Sequence, residues 1–141
     1  MKDKREELVS LVISPILATA NRIFEVSKHK LEFHDGEIGY WREHRFVAHD
    51  VFSGTEQLLA YTGFALGLSA KADLRLCIMD EFGRLSRETK DLVLAALEKA
   101  LDDKAVDQCI VVDTDADYYA SVGPTPEYAR RFARWTQVVT K

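Results

Sequence analysis

The sequence predicts a mixed α/β fold built around a parallel βαβ unit, on three observations. Residues 74–79 and 109–112 are short, apolar runs of strand length, the first broken by a single Arg. Between them, residues 87–102 keep a helical apolar stripe, and the order strand, helix, strand implies a crossover and a parallel pair. Upstream, Asp35-Gly36 separates two β-prone runs, which is the short-range signal of a hairpin. At 141 residues the chain is one domain by length, with enough residues for a real core.

Each element has its own warrant. Leu8, Leu11, Val12, Ile16, Ala20, Ile23 and Phe24 keep a helical stripe over residues 3–26. Ser14-Pro15 interrupts it, and proline is costly inside a helix but tolerated in a first turn, so two helical pieces with a kink or restart are expected. The first piece, residues 2–12, is highly charged and would project from the domain. Alternation in Leu31/Phe33 and Ile38/Tyr40 predicts a half-buried antiparallel ribbon, with residues 45–51 as a third strand. After Gly54, a helix places Leu58, Leu59, Thr62, Ala65, Leu66 and Leu68 on a broad apolar face. Residues 74–79 read as a strand buried on both faces. Ser86 caps the next helix, whose stripe is Leu92, Val93, Ala96, Leu97, Ala100 and Leu101. The second strand ends at Asp113-Thr114-Asp115. Gly123-Pro124-Thr125-Pro126 then punctuates the chain, and residues 127–141 fit helix, strand, or one then the other.

Composition narrows the partners. A net charge of −4 gives no global signature for nucleic acid or an acidic membrane. The N-terminus has no apolar segment followed by a small-residue cleavage site, so it does not read as a secretory signal. No uninterrupted apolar run approaches the roughly 18 residues needed to span a bilayer. Cys77 and Cys109 sit inside apolar runs, which suits buried thiols in a reducing compartment. The chain reads as cytoplasmic.

Asp80-Glu81 is the sharpest chemical signal. In open α/β sheets ligands gather at the carboxyl ends of strands, where one carboxylate can hold Mg²⁺ and its neighbour can orient or deprotonate water. The same pair can equally open a solvated loop. Ser53-Gly54-Thr55-Glu56-Gln57 is the second signal: a small-residue turn opening a helix presents free N–H groups to an anion. Ser53 with Glu56 is also an ordinary capping box. No G-x-x-x-x-G-K-[ST] phosphate loop occurs anywhere in the chain.

Together and in this order, the motifs resemble the C-terminal half of an ABC-type P-loop ATPase, in the coiled-coil branch of SMC and RecF-like proteins. Ser53-Gly54-Thr55-Glu56-Gln57 resembles the signature motif, and Leu76-Cys77-Ile78-Met79-Asp80-Glu81 the Walker B strand. Residues 82–87 stand where the D-loop falls, and residues 111–115 where the switch loop falls. The resemblance covers roughly residues 10–117. It implies a coiled-coil root over residues 1–26 and a C-terminal ATPase lobe over residues 27–141, with the ribbon as the layer before the signature. It further implies that the Walker A loop belongs to a separate lobe or chain, and that two heads sandwich two ATPs.

On this resemblance Asp80 would hold Mg²⁺ and Glu81 would activate the water. Ser53, Gly54, Thr55, Glu56 and Gln57 would face the γ-phosphate held by the other head, with Ser86 and Thr114 at the D-loop and switch positions. Expected partners are the Walker A lobe, a second head and, in the full assembly, DNA; no membrane is expected. Three positions depart from the pattern. Thr55 replaces the second signature glycine, Ser86 or Arg87 the D-loop aspartate, and Thr114 the switch histidine. These departures leave a non-catalytic binding module with a degenerate ATPase lobe as the alternative. A third reading is a free-standing Mg²⁺ phosphohydrolase using Asp80 and Asp113.

Other residues have blander readings. His29, His34, His44 and His49 lack compact metal-ligand spacing and read as ribbon surface. Tyr40, Trp41 and Phe46 with Arg42 and Arg45 fit a ribbon core and rim before a nucleic-acid surface. Tyr118, Tyr119, Tyr128, Phe132 and Trp135 read as packing, and Arg130, Arg131 and Arg134 as a solvated face with DNA contact as its rival.

Overall fold

Helix α1 (Lys4–Phe24) is continuous through Pro15 in the computed structural model, which describes residues 4–120, 134–136, 138 and 140. The expected break into two pieces is therefore absent. Pro15 and Leu11, whose carbonyl loses its i+4 donor, both lie on the exposed side, where water can serve that carbonyl. The buried side carries Leu17, Ala20, Asn21, Ile23 and Phe24. Residues Lys4–Ser27 are also long and apolar enough to cross a membrane by length and composition, although no uninterrupted apolar run signals it. Here the second half of the stretch packs as a core helix does.

The ribbon is antiparallel and three-stranded, β1 (Glu32–His34), β2 (Glu37–Arg42) and β3 (Arg45–Ala48). Asp35 and Gly36 both take positive φ, 48° and 79°, as the tight hairpin turn requires. The third strand stops short of its expected end, and His49–Val51 forms a 3₁₀ turn instead. Buried Asn21 ties α1 to the ribbon's entry, accepting from the Leu31 N–H at 2.7 Å and donating to the Leu31 carbonyl at 3.1 Å. Phe24, Tyr40 and Phe52 then stack around one point, with ring centroids 5.4–5.9 Å apart, and fix the segment that leads into the next helix.

Helix α2 (Gly54–Ser69) crosses α1 at very short range. A side chain at Gly63 would meet the Ala20 carbonyl oxygen at 2.5 Å, and one at Gly67 the Ile16 carbonyl oxygen at 2.7 Å. Two glycines four residues apart thus let the two backbones touch. Leu68 lies outside the buried face, at 58% exposure.

The βαβ unit follows as β4 (Leu76–Met79), α3 (Arg87–Asp102) and β5 (Gln108–Val111), with β4 and β5 parallel and Cys77 opposite Cys109. Alternation puts Cys77, Met79, Cys109 and Val111 on the covered face. Ile78, Ile110 and Val112 project from the other, exposed by 54%, 41% and 48%. The expectation of strands buried on both faces is corrected: among the described residues nothing covers the second face, and each strand keeps one unpaired edge. On α3, Leu92 is exposed and the buried row is Lys90, Val93, Leu94, Leu97 and Ala100. A short helix, α4 (Ala116–Ala120), ends the continuous part. Trp135 returns to α3, donating its indole N–H to Glu98 at 2.8 Å. Tyr128, Arg130, Arg131 and Phe132 lie outside the described residues.

Candidate functional site

Met79 ends β4, and the chain turns sharply at Asp80 and Glu81. Glu81 adopts a left-handed backbone, φ 60°, which is uncommon for a non-glycine residue and gathers at functional sites. The turn is fixed from several sides. One Asp80 carboxylate oxygen accepts the Glu81 N–H at 2.8 Å, and the Glu81 carbonyl accepts the Arg84 N–H at 3.0 Å. Val112 continues the ladder from β5, donating to the Met79 carbonyl at 2.9 Å and accepting from the Phe82 N–H at 3.2 Å.

A cleft of about 390 Å³ opens beside this turn. Gly54, Gln57 and Tyr61 of α2 form one wall, and Asp80, Glu81 and Arg84 the other. Gly54 and Gln57 of the signature-like turn and the acidic strand end, 23 or more residues apart in sequence, therefore share one opening, while Ser53, Thr55 and Glu56 do not line it. Arg84 spans it. Its Nη1 donates to Glu81 Oε2 at 3.0 Å, and its Nη2 would be 3.7 Å from a side chain placed on Gly54.

The capping box at α2 is complete: Ser53 Oγ accepts from the Glu56 N–H at 3.2 Å, and Glu56 Oε1 accepts from the Ser53 N–H at 2.9 Å. Burial would raise the Glu56 carboxyl, but the Tyr40 hydroxyl and the Ser53 N–H hold it below the ordinary carboxylate range. Gln57 donates to the Phe52 carbonyl at 3.3 Å. These side chains are committed to the helix end. The N–H groups of Gly54 and Thr55 have no protein partner among the described residues, so any anion contact would fall to them.

Ser86 and Thr114 do not line the cleft. Ser86 caps α3, its Oγ accepting the Thr89 N–H at 3.2 Å, a task that aspartate or serine performs equally well. Thr114 sits behind the turn, against Gly83, where a side chain would meet Asp113 Oδ1 at 2.9 Å and Thr114 Oγ1 at 3.1 Å.

Asp113 is not a surface acid. Its side chain is 2% exposed and accepts from Lys90 Nζ at 2.7 Å, Tyr119 Oη at 2.8 Å and the Asp115 N–H at 2.9 Å. Burial alone would raise its carboxyl, but the bonds from Lys90, Asp115 and Tyr119 outweigh it and hold the group below its usual range. Burial, then the bond to Asp113, pushes the Tyr119 hydroxyl up. The reading of a free-standing Mg²⁺ phosphohydrolase using Asp80 and Asp113 loses its second carboxylate: Asp113 is spent neutralising Lys90 and lines no part of the cleft.

Mg²⁺ is commonly held by one or two carboxylates together with phosphate and water. Asp80 suits that role, since one of its oxygens has no protein partner among the described residues. No three His, Cys, Asp or Glu side chains among the described residues converge into an all-protein metal cage. His29 instead stacks on Tyr40 at 4.2 Å, and His34 packs on Trp41 and Phe46 at 5.0 and 5.1 Å. Tyr118 is buried, and Arg134 is paired with Asp102 at 2.8 Å.

The sequence does not single out Arg84 or Lys90. Lys90 carries a signal all the same, because it stands three, four and seven residues before Val93, Leu94 and Leu97, in an apolar row. A larger cavity of about 1000 Å³ lies between α1, the hairpin and α2, walled by Val9, Ile13, Phe33, Ile38 and Phe64, and it does not include Asp80 or Glu81. No protein-family model matches the chain, and no curated protein does either.

Proposed function

We propose that this chain is the C-terminal lobe of a composite, Mg²⁺-dependent ATPase of the SMC/RecF-like kind, acting in the cytoplasm on DNA maintenance, repair or defence. One observation carries the reading: a parallel strand pair, open on one apolar face and both edges among the described residues, has its first strand lead into Asp80 and Glu81 beside the α2 N-terminus. Parallel sheets are ordinarily covered on both faces, and among the described residues no layer lies on the second face here, which is where a second lobe would pack. Bound Mg²⁺ would neutralise phosphate charge at the strand ends. Asp80 would hold the ion through its open oxygen, and Glu81 would take a proton from the attacking water. The Gly54 and Thr55 N–H groups would donate to the terminal phosphate of a nucleotide held by the partner head.

The test is MgATP binding and hydrolysis by this chain alone and with a Walker A-bearing lobe. Turnover only with both present is the expected result. Full activity of the chain alone would sink the proposal. In the active assembly, Glu81→Gln should lower kcat by about 10²-fold or more and trap the ATP-bound dimer, seen by gel filtration. Wild-type turnover in that variant would remove Glu81 from its role.

A non-catalytic binding module is the second reading, favoured by the Glu81–Arg84 ion pair and by Thr114 standing behind Gly83 and away from the cleft. ATP-dependent association without turnover would select it.

A further inference from the structure

We infer that Lys90 is a positioning residue: through Asp113 it holds the segment after β5 against the turn that carries Glu81. Lys90 and Asp113 are 1% and 2% exposed, and their contact is 2.7 Å. Burying two charges strips both of water before their attraction returns anything, and well-packed apolar side chains usually serve stability as well or better. What such a pair supplies is a single arrangement of the segments it joins. Here it joins three. Lys90 comes from α3, the Asp113 carboxylate also receives Tyr119 from α4, and Asp113 Oδ1 lies against Gly83 in the turn. The ammonium is enclosed by the rings of Tyr118 at 4.9 Å and Phe82 at 5.7 Å, so Phe82 is held by the same group. Asp115, at 3.6 Å from Lys90, is also bonded to Arg87 at 3.3 Å. Asp113 thus sets the distance between the end of β5 and the loop that follows Glu81, without touching the cleft.

Lys90→Met alone would strand a buried carboxylate and risk unfolding. The informative variant is therefore Lys90→Met with Asp113→Asn, which removes both charges and keeps an acceptor for the Asp115 N–H. Hydrogen exchange of the chain reads the result with no reference to ATP. Amides of Phe82, Arg84 and Val112 should exchange at least about 10-fold faster, while those of α1 and α2 stay within about 2-fold of wild type. Unchanged rates at those three amides, or an equal rise everywhere, would overturn the inference. Should the double variant not fold, Tyr119→Phe removes one bond to Asp113 and should give about a 3-fold rise at the same amides. A kinetic readout rests on the proposed ATPase reading: in the active assembly, kcat should fall about 10-fold with KM for MgATP unchanged. A raised KM with unchanged kcat would assign Lys90 to binding. An inactive wild-type assembly would sink the ATPase reading and leave the exchange result to decide the inference.

Discussion

Glu81 bears a backbone conformation that glycine would adopt more readily. The left-handed region costs an ordinary residue about 1–2 kcal/mol, and the exposed Glu81–Arg84 pair returns little of that. Glu81→Gly should therefore leave stability in urea unchanged or raise it by up to about 1 kcal/mol, even as it removes the proposed base. A loss above that size would make the side chain structural. Asp113 sets a second expectation. Its carboxyl is held below the ordinary value, so the stability it contributes is fully present above the unfolded carboxylate pKa of about 4, and is lost as pH falls through the lower folded value. Acid unfolding of wild type should steepen below about pH 4. Lys90→Met with Asp113→Asn, which leaves neither charge of the buried pair stranded, should flatten that limb, and an unchanged acid limb would mean that Asp113 is not linked to folding.

Between elements, the closest contact is the α1–α2 crossing. Gly63→Ala would drive a methyl into the Ala20 carbonyl, and overpacking of this kind costs about 1–3 kcal/mol. Chemical denaturation would measure it, and a neutral result would mean that the helices can separate. Such contacts explain what the sequence could and could not disclose. The hairpin at Asp35-Gly36, the Ser53 and Ser86 caps and the two helices they open were legible because each is fixed by neighbours along the chain. The unbroken course of α1 was not, because whether Pro15 breaks a helix depends on which side faces water. Gly63 and Gly67 look like weak helix formers until Ala20 and Ile16 arrive against them. At the site, the strand end and signature-like turn were legible as separate motifs. Their shared cleft, and the withdrawal of Asp113 from it, arise from tertiary contacts with Arg84 and Lys90.

Over the whole molecule, the open face of β4 and β5 dominates. Exposed Ile78, Ile110 and Val112, with Leu74 at 75% exposure beside them, border two strand edges that are unpaired among the described residues. Apolar surface and open edges together favour association, and a net charge of −4 opposes it only weakly. The lone chain should self-associate with rising concentration in sedimentation velocity. Ile110→Lys should suppress this with little change in Tm, and a monomer at all concentrations would argue that the face is not sticky. The α1–α2 seam has a mechanical consequence at this same scale. Backbone rests on backbone at Gly63, and at Gly67 the Ile16 carbonyl and the Ile16 side chain close in together, so little soft material is left there to compress. The 21-residue helix α1, about 30 Å long, is thereby clamped along its second half while its first turns stand exposed. It is a lever with a stiff fulcrum: a sideways push on residues 4–12 would meet the clamp at Ile16 and Ala20, and the helix ahead of Ile16 would take up the bend.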